Sequence, residues 1–255
     1  MNLSPLEELL GRPVPTAIVS LYSQLDPVGN TLDVMRLLTV AEAVQATLDI
    51  RAFYTDLSTE LLFLWTDDNS NYAGVYTAGD LAPRVAILDH EEPDATPAFF
   101  GIESFRSTRQ LAAQEGLSWY EFSTDYPVRV EEDYPLAQAD IALGVQYLKR
   151  YQDQPENNRS LAFYALNLLP TSHMGMTRDL LFSKDMWVQE RACEVVGMRQ
   201  HAPAIDDLES VAREGLHNGR IAAIIALESI GTTEANAKLR TLSRELGPNY
   251  LPYFR

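Results

Sequence analysis

Ala192-Cys193-Glu194-Val195-Val196 and Ala223-Ile224-Ile225-Ala226-Leu227 lie 31 residues apart, and each sets an aliphatic residue four places after an alanine. At the same offset Leu208 meets Leu239, Val211 meets Leu242, and Arg213-Glu214 meets Arg244-Glu245. A weaker copy stands 30 residues earlier, where Ala162 and Leu166 precede Ala192 and Val196. A helix of this pattern, a short loop and a second apolar helix make a hairpin that buries its apolar side only against another hairpin. The period predicts an all-α region of stacked helical hairpins over residues 137–255. An irregular bundle with helices of equal length explains the spacing, but not the shared register of apolar and charged positions.

The front of the chain follows another rhythm. Ser4 and Glu7 offer a capping box with Pro5 at the first helical position. Ile18, Val19, Tyr22 and Leu25 fall on one helical face, which Asp26-Pro27 and Gly29 then stop. Thr39-Val40-Ala41-Glu42 offers a second capping box, opening a helix through Val44 and Leu48. From Arg51 on, apolar and aromatic runs at 61–65, 72–77 and 84–88 alternate with turn-rich stretches, Asp67-Asp68-Asn69-Ser70-Asn71 and Ala78-Gly79-Asp80. That alternation predicts an antiparallel meander. A helix over 104–115 follows, with Gly116 placed to cap it. Helices, strands and then a helix give an α+β domain over residues 1–122. Residues 123–136, with Pro127, Pro135 and Glu131-Glu132-Asp133, read as a connection.

Charge divides the chain in the same place. Residues 1–134 hold 7 Arg, no Lys and 22 acids, a net −15, whereas residues 135–255 hold 13 basic and 14 acidic residues, a net −1. A generally acidic or salt-adapted proteome would be expected to spread its charge over both halves, and an acidic surface kept for solubility explains the one-sidedness less well. The asymmetry points to an acidic face that repels nucleic acid and anionic membrane and attracts basic partners. No apolar run approaches the about 18 to 20 residues of a membrane span. The amino terminus carries Glu7 and Glu8 where a leader needs base, and Cys193 is the only cysteine, so the expected compartment is the cytoplasm.

Motifs for chemistry are sparse. The chain has no phosphate-binding glycine loop, paired-cysteine spacing or nucleophile elbow. His90, His173, His201 and His217 are scattered, with His173 and His201 expected in loops between helices. Cys193 falls among apolar repeat positions and reads as a small core residue. Asp67, Asn69 and Asn71 match the first three ligand positions of a calcium loop. Tyr72 replaces the turn glycine, however, and Ala78 the closing acid, which leaves a hairpin turn. Asp89-His90-Glu91-Glu92 is a strand-end loop whose neighbouring side chains point to opposite faces and do not converge on one ion. The expectation is no catalytic residue, no cofactor and no metal site.

The elements of the front half, taken in order, resemble the SUKH superfamily of Smi/Knr-like domains. Leu9-Leu10-Gly11-Arg12-Pro13-Val14-Pro15, with the helix ending Tyr22-Ser23-Gln24-Leu25-Asp26, resembles that family's opening. Leu37-Leu38-Thr39-Val40-Ala41-Glu42 is similar to its strand and capped helix, and the segments 64–72, 85–91 and 102–105 to its later strands and helix start. The resemblance spans roughly residues 3–115. Asn69-Ser70-Asn71 replaces the glycine-containing turn common in the family, and Asp26-Pro27 lacks an immediate glycine. Bacterial members are implied to be immunity proteins that block toxin domains, often nucleases, and the family offers no shared catalytic residues. The back half resembles HEAT-like repeats, which are binding scaffolds.

The expected function is therefore an immunity-type protein that neutralises a basic toxin domain, such as a nuclease, through its acidic front surface. The alternative is an adaptor that recruits a client through its repeats. The expected contact residues are Asp89, Glu91, Glu92, Asp94, Asp67 and Asp68. The expected partner is a basic protein, with no direct nucleic-acid binding and no membrane.

Overall fold

The computed structural model describes residues 2–24, 34–55, 57–91, 94–127, 134, 136–154 and 158–254. Two compact units emerge, Met1–Tyr126 and Pro127–Arg255. The boundary falls inside the stretch 123–136, but residues 119–126 belong to the first unit. Trp119 and Tyr126 are buried there, and the amides of Asp125 and Tyr126 donate to the Ala98 carbonyl.

The first unit is α+β. Helices α1 (Ser4–Leu10), α2 (Thr16–Ser23) and α3 (Val40–Phe53) precede most of the sheet, and α4 (Ile102–Glu115) follows it. The strands are β1 (Arg36–Leu37), β2 (Leu61–Thr66), β3 (Tyr72–Tyr76), β4 (Val85–Leu88) and β5 (Pro97–Phe99). They pair antiparallel in the simple order β1-β2-β3-β4-β5, the predicted meander with a short strand added at each edge. Because successive strands reverse, the β2–β3 and β4–β5 loops lie at one end of the sheet, and the β3–β4 loop at the other.

Helix α3 begins as its sequence predicts. The Thr39 side chain accepts from the Glu42 amide while the Glu42 carboxylate accepts from the Thr39 amide, satisfying two donors that a helix start leaves open. Helix α4 ends at Gly116, whose left-handed φ of 70° is accessible without a side-chain clash. Over the sheet, Trp65, Phe99 and Phe105 pack edge to face, with Phe105 centroids 4.7 Å from Trp65 and 5.1 Å from Phe99. Each such pair adds about 0.5–1.5 kcal/mol beyond the apolar area it buries. Arg109 of α4 is buried with them, and its Nε donates to the carbonyls of Val34 and Met35 at 3.2 and 2.8 Å, tying α4 to the approach to β1.

Several local expectations are corrected. Leu3, not Ser4, is the N-cap of α1, so the Ser4–Glu7 box does not form; Asn2 Oδ1 accepts from the Ser4 amide instead. The buried face of α2 is Ile18, Leu21 and Tyr22, with Val19 turned outward. The buried face of α3 is Ala43, Thr47 and Ile50, and Leu48 is exposed. Leu25 and the Asp26-Pro27 and Gly29 stop signals lie outside the described residues, as do Glu131-Glu132-Asp133 and Pro135.

The second unit is helical throughout its described residues. It contains α5 (Ala137–Asp153), α6 (Arg159–Leu168), α7 (Met186–Met198), α8 (Ile205–Glu214), α9 (His217–Ile230) and α10 (Thr233–Glu245), with 3-10 segments at Thr171–Phe182, Ala202–Ala204 and Pro248–Tyr253. Shifted by 31 places, the span of α7 falls within α9 and that of α8 within α10. The weaker copy pairs α6 with the 3-10 segment Thr171–Phe182, which holds His173. Thus its second helix is wound as 3-10 rather than α, and His173 is not in an open loop.

First helices stack on first helices, α6 on α7 and α7 on α9. The 3-10 segment packs on α8, and α8 on α10. Close approach of α7 and α9 requires missing side chains. A Cβ on Gly197 would stand 2.7 Å from the Ala226 Cα, and one on Gly219 would stand 2.2 Å from Gln189 Oε1. That same Gln189 donates to the Leu181 carbonyl (3.0 Å) and accepts from the Leu216 amide (2.7 Å), fixing one hairpin against the next. Across the second helices runs a ladder of ion pairs: Arg178 to Asp207, Lys238 to Asp206 and Glu209, and Arg213 to Glu209 and Glu245.

Candidate functional site

The acidic residues singled out by sequence gather at the sheet end that carries the β2–β3 and β4–β5 loops. Asp67 opens the first of these loops and shapes it. Its Oδ1 accepts from the Asn69 and Asn71 amides at 2.8 and 3.1 Å, closing the turn through its own side chain. Its Oδ2 accepts from Asn71 Nδ2 (2.6 Å) and from the indole of Trp119 (3.0 Å). Asp68 sits at a left-handed φ of 60° and projects toward Arg36 at the edge of the sheet. Arg36 forms a fork there, donating to both oxygens of Asp68 at 2.8 Å and to Glu42 at 3.0 and 3.3 Å. The fork holds the Glu42 carboxyl down at about 2, and the two carboxylates raise the guanidinium in turn.

The second loop is joined to the first by one amide side chain. Asn71 Oδ1 accepts from the His90 backbone (3.0 Å) and lies 2.8 Å from His90 Nδ1. This leaves Asp89 and Glu91 beside the hairpin, with Asp89 Oδ1 accepting from the Glu91 amide at 2.9 Å. Asp94 closes a local turn with Thr96, accepting from its amide at 2.9 Å and from its hydroxyl. Glu92 lies outside the described residues. Of the expected contact residues, then, Asp67 and Asp94 have structural tasks, Asp68 is paired, Asp89 is half-buried and Glu91 is exposed.

The element that completes this end is a 3-10 turn at Trp119–Glu121. Its Ser118 amide and hydroxyl donate to the Glu121 carboxylate at 3.0 and 3.1 Å. The Ser-x-x-Glu pattern at 118–121 was the available sequence signal for it. Trp119 turns in to reach Asp67, and Tyr120 stacks on it with ring centroids 3.7 Å apart while remaining 65% exposed. Partial desolvation and the negative charges of Asp89, Asp67 and Glu91 push the Tyr120 hydroxyl upward, while its hydrogen bond with Asn71 offsets part of that. The tyrosine therefore stands within electrostatic reach of three carboxylates contributed by two loops.

Such an arrangement can attract cations and hold them against an aromatic ring. A ring face in a negative field is a favourable place for a guanidinium or ammonium group. The β2–β3 hairpin is pinned to His90 and to the Trp119 indole, so little of its ordering entropy is left to lose on binding. Among the described residues no three His, Cys, Asp or Glu side chains come together to hold a metal ion. Cys193 is buried in α7, where desolvation pushes its thiol far upward. His201 is lowered by burial and by the Arg199 charge beside it. No helix among the described residues is long and apolar enough to cross a membrane.

Compared with known proteins, the chain matches no family model, no curated protein and no solved structure.

Proposed function

We propose that this is a protein-binding protein of the immunity type, whose acidic sheet end occupies a basic surface on a toxin domain such as a nuclease. The observation that carries the reading is the exposed Tyr120, stacked on Trp119 whose indole donates to Asp67, at the acidic end of a sheet unit poor in cations. Nuclease surfaces are basic because they bind phosphate, so a fixed negative patch competes for the same field and speeds encounter. The SUKH-like order of elements in the front half agrees with this reading, as does the resemblance of the back half to HEAT-like scaffolds.

The runner-up is an adaptor that recruits a client through its helical stack. It is favoured by the outward placement of Trp187, Met198 and Ile225 on α7 and α9, which are 39%, 43% and 46% exposed. Arg159 reaches over the Trp187 ring, a pairing of residue types common at binding hot spots. The test is co-expression with a basic nuclease-like protein encoded beside this one, with growth rescue and direct binding as readouts. Immunity is supported if rescue is lost in the Asp89→Lys, Glu91→Lys double variant and kept in Trp187→Ala. The opposite pattern supports the adaptor and overturns the first reading.

A further inference from the structure

At the sheet end opposite the acidic loops, two arginines converge on one residue. Arg12, just after α1, donates through one terminal nitrogen to the Glu60 carboxylate and to Thr77 Oγ1 (2.7 Å). Arg51, in the last turn of α3, donates to the carbonyls on either side of Glu60, those of Thr59 and Leu61. Glu60 immediately precedes β2 and Thr77 immediately follows β3, whose hydrogen bonding continues through the Thr77 amide to the Glu60 carbonyl. The sheet itself therefore holds both guanidiniums in place.

Among the described residues the charge here does not balance: Arg12 and Arg51 both lie at Glu60, and only Arg12 forms an ion pair with a carboxylate. Burial lowers Arg51, partly offset by Glu60 and reinforced by repulsion from Arg12, so its charge is held against opposition. The Nε–H donors of Arg12 and Arg51 are also buried without an acceptor among the described residues. Unmet donors of this kind are rare in folded chains, and each costs about 1–3 kcal/mol unless another species supplies the acceptor.

We infer that Arg12 and Arg51 form a binding site for a small oxyanion, a phosphate or carboxylate group accepting from both guanidiniums. An oxyanion brings the missing negative charge and several lone pairs, and two fork-shaped guanidiniums match its geometry better than ammonium groups do. Arg12, with its side chain about one-third exposed, gives access from solvent. The site is independent of the acidic end, and either can fail without the other.

Arginine Nε–H resonances of the full chain test this directly, with the Arg12 and Arg51 signals identified by their loss in Arg12→Lys and Arg51→Lys. Inorganic phosphate at up to about 100 mM should move both signals along one saturating curve, with a Kd of about 1–10 mM. Acetate should move the same two signals if a carboxylate suffices. Chloride at matched ionic strength should leave them in place. Each lysine variant should weaken phosphate binding by about tenfold, because charge is kept while the fork is lost. Should Arg51→Lys fail to fold, Arg12→Lys carries the comparison. Absence of saturation, an equal response to chloride, or unchanged affinity in a folded lysine variant overturns the site.

Discussion

The sheet unit and the helical unit dispose of their charges in opposite ways. In the helical unit the two signs nearly balance, and its cations are laid across neighbouring hairpins, as in the ladder from Arg178 through Asp207 to Lys238 and Glu245. In the sheet unit several of the few arginines are absorbed internally. Arg84 and Arg109 are buried against Tyr126 and backbone carbonyls, and Arg36 is engaged by Asp68 and Glu42. Asp89 and Glu91 stand on a loop, and residues 1–134 hold no lysine to meet them. A balanced surface stabilises its own stack, whereas an unbalanced one projects a field outward. That contrast locates the proposed contact surface more firmly than any single motif.

The packing differs as sharply, and the largest predicted effect exploits it. Trp65→Ala, which empties a fully buried site against Phe105, is expected to destabilise the sheet unit by about 4 kcal/mol. If the two units are independent, calorimetry will show one transition moving down and the other unmoved; a common shift would break the comparison. Gly197→Val should act in the other unit, at about 3 kcal/mol, because its side chain meets the Ala226 backbone. Gly175→Ala, with open space around it, is the matched control and should stay within about 0.5 kcal/mol.

Smaller effects sharpen the electrostatic half of the contrast. The Asp89→Lys, Glu91→Lys double variant should slow association with a basic partner by about tenfold and flatten its salt dependence, while Arg178→Ala in the ladder leaves the rate alone. Equal rates at two salt concentrations would move the contact elsewhere. Acid should reveal the Arg36 fork. Glu42 is depressed from its ordinary 4.5 to about 2, so its contribution is complete above pH 4.5 and is lost as pH falls toward 2. Because Glu42 is partly exposed, the loss should stay below about 1 kcal/mol. Glu42→Gln should flatten the acid limb of a stability titration over that window, and an unchanged limb would assign the loss to other carboxylates.

What could be read from the residues alone follows the range of the interactions involved. The Thr39 capping box, the Gly116 cap and the hairpin closed by Asp67 are settled within five residues, and each appears where its sequence places it. The 31-residue period likewise survives as matching helix spans, because stacked units share one packing rule. Strand β5, of three residues, carries too little pattern to announce itself and exists because β4 offers an edge, whereas β1 is expected only from the family resemblance at Leu37-Leu38. The Ser4 box failed because Asn2 competes for the same amide. At the candidate site, Asp89 and Glu91 were visible as charge, but Tyr120 was not. Its position depends on Trp119 reaching Asp67, 52 residues away, and no local rule encodes such a contact.

That indole bond also gives the molecule a native optical label. The three tryptophans are distributed one to the sheet core (Trp65), one to the acidic end (Trp119) and one to the helical stack (Trp187). Trp119 alone donates to a carboxylate of the proposed contact surface and lies under an exposed ring. A cation arriving at Asp67 alters the electric field along that indole, and the colour of its emission shifts with the field. With Trp187 replaced by phenylalanine and Trp65 left as a dry, constant reference, occupancy of the acidic end becomes legible in the protein's own fluorescence.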